Sequence, residues 1–595
     1  MKDIKSRADI AEEYKWDLSA IYSSDASWEK EYKELDSKIA DIGSFSGKLD
    51  CEERILECLK LSDSLSMTLG ELYVYARQRL DEDAACDKYQ AMCDKIELLG
   101  VKLSEASSFI SPQLAALDND YLLTLAKKTQ FSYYDYMLKE VVRGKEHTLT
   151  EAEEKIIAQA GLFSGGFHDA FNMFDNADIK FAKVKDGDGE VVPMSHGNYS
   201  VLLQSPVRSV RKAAFNSMFK AYEGMINTIT QLYAGNVKKD LFYAKVRKYP
   251  DCLSRAVDGE NVPKEVYLTL VKSVNANLNV MHEYMKYRAR ELGYSKLHMY
   301  DLHVPIVARY DKRVDYNEAK EIVLAALAPM GEDYLAIVRR AFSERWIDVY
   351  ENKGKRSGAY SWGTYNSHPY MLLNYHPTMH DVFTLAHEMG HSMHSYYSDK
   401  AQPFAKAQYE IFVAEVASTV NEVLLLKYLL SKSDDKDERK YLMSYYLDMF
   451  RTTLFRQTMF AQFEVEAHAL AERGEPVTKE SLCDIYYALN KKYYGSAVVS
   501  DDLIRYEWAR IPHFYRSYYV YKYSTGIISA VSIAASILEK GAPAVDAYKQ
   551  FLSAGGSMPP TDILKLAGVD LTCDAPYDTA MSEFAATLAA LKELS

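Results

Sequence analysis

The chain has 595 residues, 48% of them apolar and 26% charged, the make-up of an ordinary soluble globular protein with length for large cores. Its formal net charge of −13 is repelled by phosphate backbones and anionic lipid heads, so neither nucleic acid nor a membrane is the expected partner. Seven cysteines, with no CxxC among them and none near a histidine at zinc-finger spacing, predict reduced, mostly buried thiols.

The opening stretch MKDIKSRADIAEEYKWD lacks the apolar run of a leader peptide, and the longest weakly polar run, 525–538, is too short and serine-rich to span a bilayer. A cytoplasmic protein is expected. Apolar residues at three- and four-residue spacing predict helices over 27–42, 51–80 (with a break near 62–66) and 84–110. Shorter helices are read at 112–117 and 121–127, with joints at 118–120 and 148–151. No polar constellation appears in this region, so it reads as scaffold. Residues 181–192 change character: two short apolar runs flank Asp186-Gly187-Asp188-Gly189, which predicts a β-hairpin. The Asp-x-Asp run does not make a calcium loop, because its sixth position is Val191 and its twelfth is Gly197.

Helices resume at 207 and continue through 225–246 and 264–292, followed by an extended piece at 300–305 and helix over 314–341. After the Gly- and Lys-rich stretch 353–358, the segments 359–365 and 369–375 read as strands. A strand here could offer its edge to an extended peptide. Helices are expected again at 410–430, 438–473, 478–494, 516–538, 544–553 and 561–567. The fold class is therefore all-α, mainly helical, with one or two small β patches.

The chemistry concentrates in 378–398, around His387-Glu388-Met389-Gly390-His391. Two histidines four apart on a helix project from one face and can reach one metal ion, while Glu388 lies beside them where a general base is useful. Thr378 with Asp381 reads as the helix cap. A catalytic zinc takes three protein ligands and keeps a position open. Glu410, Glu415 and Glu422 are the downstream candidates for the third. Glu410 sits at a polar helix entrance, whereas Glu415 lies among Phe412, Val413, Ala414, Val416 and Ala417. A carboxylate in so apolar a setting needs a cation or hydrogen bonds to offset desolvation, so Glu415 is the favoured ligand. Glu422, two turns on, reads as a partner for a ligand histidine. A fourth protein ligand would close the site against water, so His394 is not expected to bind the metal.

HEMGHSMHSYYS (387–398) followed by IFVAEVASTVNE (411–422) resembles the oligoendopeptidase F family, within the thimet-oligopeptidase-like zinc metallopeptidases. YKWDLSAIY (14–22), GAYSWGTYNSHPYMLLNY (358–375), RIPHFYRSYYVYKYSTG (510–526) and GGSMPPTDILKLAGVDL (555–571) extend the likeness over nearly the whole chain. The resemblance implies a two-lobed helical body around a deep channel that admits short unstructured peptides, with an N-terminal helical region at 1–200 and a catalytic region at 201–595. It implies one Zn²⁺ per chain on His387, His391 and Glu415, with Glu388 as the base for a zinc-activated water in the hydrolysis of internal peptide bonds. It further implies oxyanion donors from the late segment, for which His513, Tyr518 and Tyr521 are expected. Phe514 stands where the family pattern has a tyrosine, and helical spacing would pair either Tyr518 with Tyr521 or Tyr515 with Tyr519. A dipeptidyl carboxypeptidase of the same superfamily and a non-catalytic helical peptide-binding protein are the alternatives.

Overall fold

The apolar stripes of the first hundred residues pack into three mutually contacting helices, Asp25–Gly43, Glu52–Glu82 and Asp87–Ser107, in a computed structural model that describes residues 4–307 and 312–594. The first three residues of the stretch read as lacking a leader lie outside the described residues. Trp28, Leu35 and Ile39 of the first helix share a core with Ile55, Leu59 and Leu72 of the second and Met92, Ile96 and Leu99 of the third. Trp28 also donates its indole N–H to the Leu72 carbonyl at 2.8 Å.

The break expected near 62–66 does not occur, and Glu52–Glu82 is one helix of 31 residues. Serine costs a helix only a few tenths of a kcal/mol, and Leu65 and Leu72 keep the buried stripe running through it. The hairpin over 184–192 forms as read, with Val184–Lys185 antiparallel to Val191–Val192. The Asp186 carboxylate accepts the backbone N–H groups of Asp188 and Glu190, both at 3.0 Å, so the acidic run closes a turn with its own backbone.

Two other expectations need correcting. The piece read as extended over 300–305 contains no strand: it completes a 3₁₀ turn at Met299–Asp301, and a two-residue strand, Leu297–His298, lies just before it. That turn is held by Asp301, which is fully buried and receives Arg208 and Arg211. The helix expected over 516–538 begins only at Tyr521 and runs to Lys540. The preceding residues form a 3₁₀ turn, Pro512–Tyr515, and then an irregular link in which Tyr518 takes φ +60°.

With 71% helix and, among the described residues, three small sheets, this is a mainly-α fold. Two compact units divide the chain, and neither is a contiguous stretch. One comprises Met1–Glu146, Asp311–Leu429 and Ile533–Val569; the other comprises His147–Tyr310, Leu430–Ser532 and Asp570–Ser595. This division does not coincide with a boundary at residue 200, because the chain leaves each unit and returns to it.

Within the first unit, the largest sheet has three strands. Tyr370–Leu372 lies in the middle, parallel to Ile347–Asp348 and antiparallel to Tyr360–Trp362, with Trp362 opposite Tyr370. The middle strand is fully buried, and Tyr360–Trp362 is an edge. All seven cysteines are free thiols, four of them buried. Among the described residues, no helix is long and apolar enough to cross a membrane.

Candidate metal centre and active site

Two helices of the first unit carry the site. Met379–Ala401 begins at Thr378, whose hydroxyl accepts the Asp381 backbone N–H at 3.2 Å, while Asp381 accepts the His376 backbone N–H at 3.1 Å. The expected cap is therefore present. The second helix, Ile411–Lys432, lies against the first at a very short separation. A Cβ built on Gly390 would stand 2.5 Å from both the Ala417 carbonyl oxygen and the Ser418 Cα, so only glycine fits at the crossing. Asn421 locks the pair by donating to the Ala386 carbonyl at 3.1 Å. Ser392 meets Ser361 of the edge strand, hydroxyl to hydroxyl, at 2.8 Å.

This crossing brings the predicted ligands together. The Nε2 atoms of His387 and His391 each lie 3.5 Å from the same oxygen of Glu415, and the three ligand atoms fall within 4.8 Å of one another. Their rings are set nearly perpendicular, at 82° and 4.9 Å between centroids. Glu422 accepts from Nδ1 of His387 at 2.6 Å, which fixes the tautomer and leaves Nε2 as the free donor of its lone pair. Two imidazole nitrogens and one carboxylate oxygen converging at this spacing fit a zinc ion.

The electrostatics follow the same geometry. Burial would raise the Glu415 carboxyl, but the histidines and a 3.0 Å hydrogen bond from Ser418 outweigh it and hold the group down at about 2. Burial would lower His387, but the hydrogen bond to Glu422 and the charges of Glu422, Glu388 and Glu415 bring it up to about 9. Glu388 is buried, and desolvation pushes its carboxyl above the ordinary range against the pull of the two histidines. Glu410 does not join the cluster. Neither does His394, which is wholly buried and stacked on Tyr409 at 3.7 Å and 3°. Burial lowers it to about 3.

His513, Tyr518 and Tyr521 belong to the second unit, and that unit separates them. Tyr518 and Tyr521 are buried in its core, where both rings face Tyr267 and Tyr518 also faces His468. His513 is exposed and keeps company with Tyr519 and Tyr523: the Tyr523 hydroxyl lies 3.4 Å from its Nε2, and Tyr519 stacks at 6.0 Å. The expected pairing of Tyr518 with Tyr521 presumed a helix from residue 516. The left-handed backbone at Tyr518 reverses which tyrosines face solvent.

Glu464, a fully buried acid on the helix Arg456–Glu472, accepts the Tyr518 backbone N–H at 2.7 Å and so braces that conformation. Burial pushes its carboxyl well above the usual range. No sequence signal singled out Glu464, Gly390 or Ser418. A glycine between metal-ligand positions and a glutamate flanked by Phe460 and Phe463 were visible, but their partners lie far off in the chain.

Residues 201–583 match the model of Peptidase family M3, and residues 113–181 match that of Oligopeptidase F. The chain is 42% identical over 593 residues to Oligopeptidase PepF of Bacillus subtilis (strain 168), covering 99% of this chain and 88% of that one. Among solved structures, a putative peptidase from Chlamydophila abortus superposes with a TM-score of 0.95 at 35% identity, over 100% of both chains. The oligoendopeptidase-F from Enterococcus faecium superposes with a TM-score of 0.74 at 36% identity, over 96% of this chain and 99% of that one.

Proposed function

The chain belongs to peptidase family M3, and from that premise we propose a role for each residue of the site. The family membership makes it a zinc metalloendopeptidase acting on oligopeptides. In our reading His387, His391 and Glu415 hold one zinc ion, and Glu422 orients the first histidine. A zinc ion held there would lower the pKa of water towards neutrality and polarise the scissile carbonyl. Glu388 takes a proton from the attacking water and returns it to the leaving nitrogen. The observation that carries this reading is the convergence of both Nε2 atoms on one Glu415 oxygen, with Glu388 on the same helix between them.

For the oxyanion donor we keep His513 and assign its partners to Tyr519 and Tyr523, because these phenols are partly exposed whereas Tyr518 and Tyr521 are packed in the core. Substrate backbone runs along the free edge of Tyr360–Trp362, which the Ser361–Ser392 contact ties to the metal helix. Seven free thiols suit a reducing compartment, and we place the protein in the cytoplasm.

The test is a quenched-fluorescent peptide assay with metal removal and add-back, run beside Glu388→Gln. Activity should vanish with chelation and return with zinc, and the variant should keep its metal while losing about 10³-fold or more in kcat, as for removal of a general base with the associated charge. Near-wild-type turnover by Glu388→Gln would overturn the assignment. Product analysis on a C-terminally amidated peptide separates the modes of cleavage: internal cuts are expected, and inactivity would mark a carboxypeptidase.

A further inference from the structure

A cavity of 610 Å³ runs along the metal helix beyond its ligands, wholly within the first unit. His391, Ser395 and Asp399 recur every four residues on that helix, so the cavity's floor continues the side that carries the metal ligand. Its walls are aromatic: Tyr73, Trp362, Tyr365, Phe404 and Tyr409 all face in. Tyr409 is fixed from behind by its stack on His394 and from the side by a 3.1 Å contact between its hydroxyl and that of Ser395. Trp362 belongs to the free edge strand.

Among the described residues, Asp399 is the one charged side chain lining this space, and it has no hydrogen bond or ion pair with any of them. The neighbouring lysines are engaged elsewhere. Lys400 lies over the Tyr396 ring at 5.7 Å, and Lys406 pairs with Asp135 at 2.5 Å. A half-buried carboxylate without a partner, inside a box of aromatic faces, is incomplete by itself. Both the charge and the ring quadrupoles favour a cation, and the aromatic faces add apolar surface that an alkyl chain ending in a charge can cover.

We propose that this cavity is a side-chain pocket for a lysine or arginine of the substrate peptide, with Asp399 as the group that receives its cationic head. The proposal rests on the peptidase reading above. A peptide lying along the Tyr360–Trp362 edge sends alternate side chains to one face, and the pocket opens beside that edge. Burial alone pushes the empty Asp399 carboxyl up to about 7. The titratable groups that face it from the surrounding elements are the phenols of Tyr73, Tyr365 and Tyr409, while His394 behind Tyr409 is kept neutral by burial. Cation selection should therefore strengthen as pH rises through about 7, because the carboxylate is ionised above its pKa and protonated below it.

The experiment uses the zinc-loaded full chain and a set of N-acetylated, quenched peptides of neutral sequence carrying lysine, arginine, glutamine or glutamate at each position in turn. At one position lysine or arginine should exceed glutamine by about 10-fold in kcat/KM, through KM. In Asp399→Asn that ratio should fall towards one, and Asp399→Lys should turn it in favour of glutamate, a gain that misfolding cannot produce. The wild-type ratio should grow from pH 6 to pH 8, whereas Asp399→Asn should show no such growth. A preference that appears only with free, non-acetylated peptides would mean that the pocket takes an N-terminal ammonium, and it would overturn the side-chain assignment. Activity without any positional preference, or a preference that survives in Asp399→Asn, overturns the pocket alone. Wild-type inactivity on every peptide overturns the peptidase reading and the pocket with it.

Discussion

The crossed helices at 379–401 and 411–432 and the segment 510–523 each carry side chains expected to serve one reaction, but they aim those side chains by different means. In the first region the helical repeat does the aiming: His387 and His391 are one turn apart, and Gly390 lets the second helix approach until Glu415 meets both. In the second region no repeat operates. Tyr518 takes a left-handed conformation braced by the buried acid Glu464, and across that bend Tyr519 and Tyr523 are partly exposed while Tyr518 and Tyr521 are buried. Regular geometry can be read from spacing, and a bend held by a distant side chain cannot.

The comparison can be broken at its strongest point first. Glu415→Ala should remove a ligand and the charge that balances the two imidazoles, with loss of bound zinc by elemental analysis and a fall in activity of about 10³-fold or more, equivalent to roughly 4 kcal/mol. Full metal content in that variant would show that the third ligand lies elsewhere. Next come the tyrosines. Tyr523→Phe and His513→Ala should lower kcat by about 10²–10³-fold, the range seen when an oxyanion donor is removed, and Tyr521→Phe should change it far less. The reverse ranking would return the role to the core-facing tyrosines.

Glu422→Gln keeps the shape but weakens the partner of His387, so zinc affinity measured by competition with a chelator should drop about 10–100-fold. The smallest effects concern the supports, and they contrast the two regions directly. Gly390→Ala forces a methyl into the Ala417 backbone and should cost about 1–3 kcal/mol in denaturant unfolding. Glu464→Leu strands the Tyr518 N–H and should cost a similar ~1–3 kcal/mol, whereas Glu464→Gln retains an acceptor and should cost less. Equal losses for the leucine and glutamine variants would mean that Glu464 does not hold the bend through that hydrogen bond.

Much of this protein was legible in its sequence because local rules govern it. Helix positions follow from apolar spacing, the Thr378 cap from one hydroxyl, the 184–192 turn from Asp186, and the convergence of His387, His391 and Glu415 from two histidines a turn apart plus one acid too apolar in its setting to stand alone. What the sequence could not determine depends on groups brought from far along the chain. The continuity of Glu52–Glu82 through its serines is set by the helices packed on it, and the turn at 299–301 by two arginines ninety residues earlier. The start of the helix at Tyr521, rather than 516, follows a bend at Tyr518 whose N–H goes to the distant Glu464, and the two compact units are assembled from separated stretches that no local boundary marks. Backbone periodicity is a property of neighbours in sequence. Burial, and the partner that satisfies a buried polar group, are properties of neighbours in space, and only the tertiary structure supplies those.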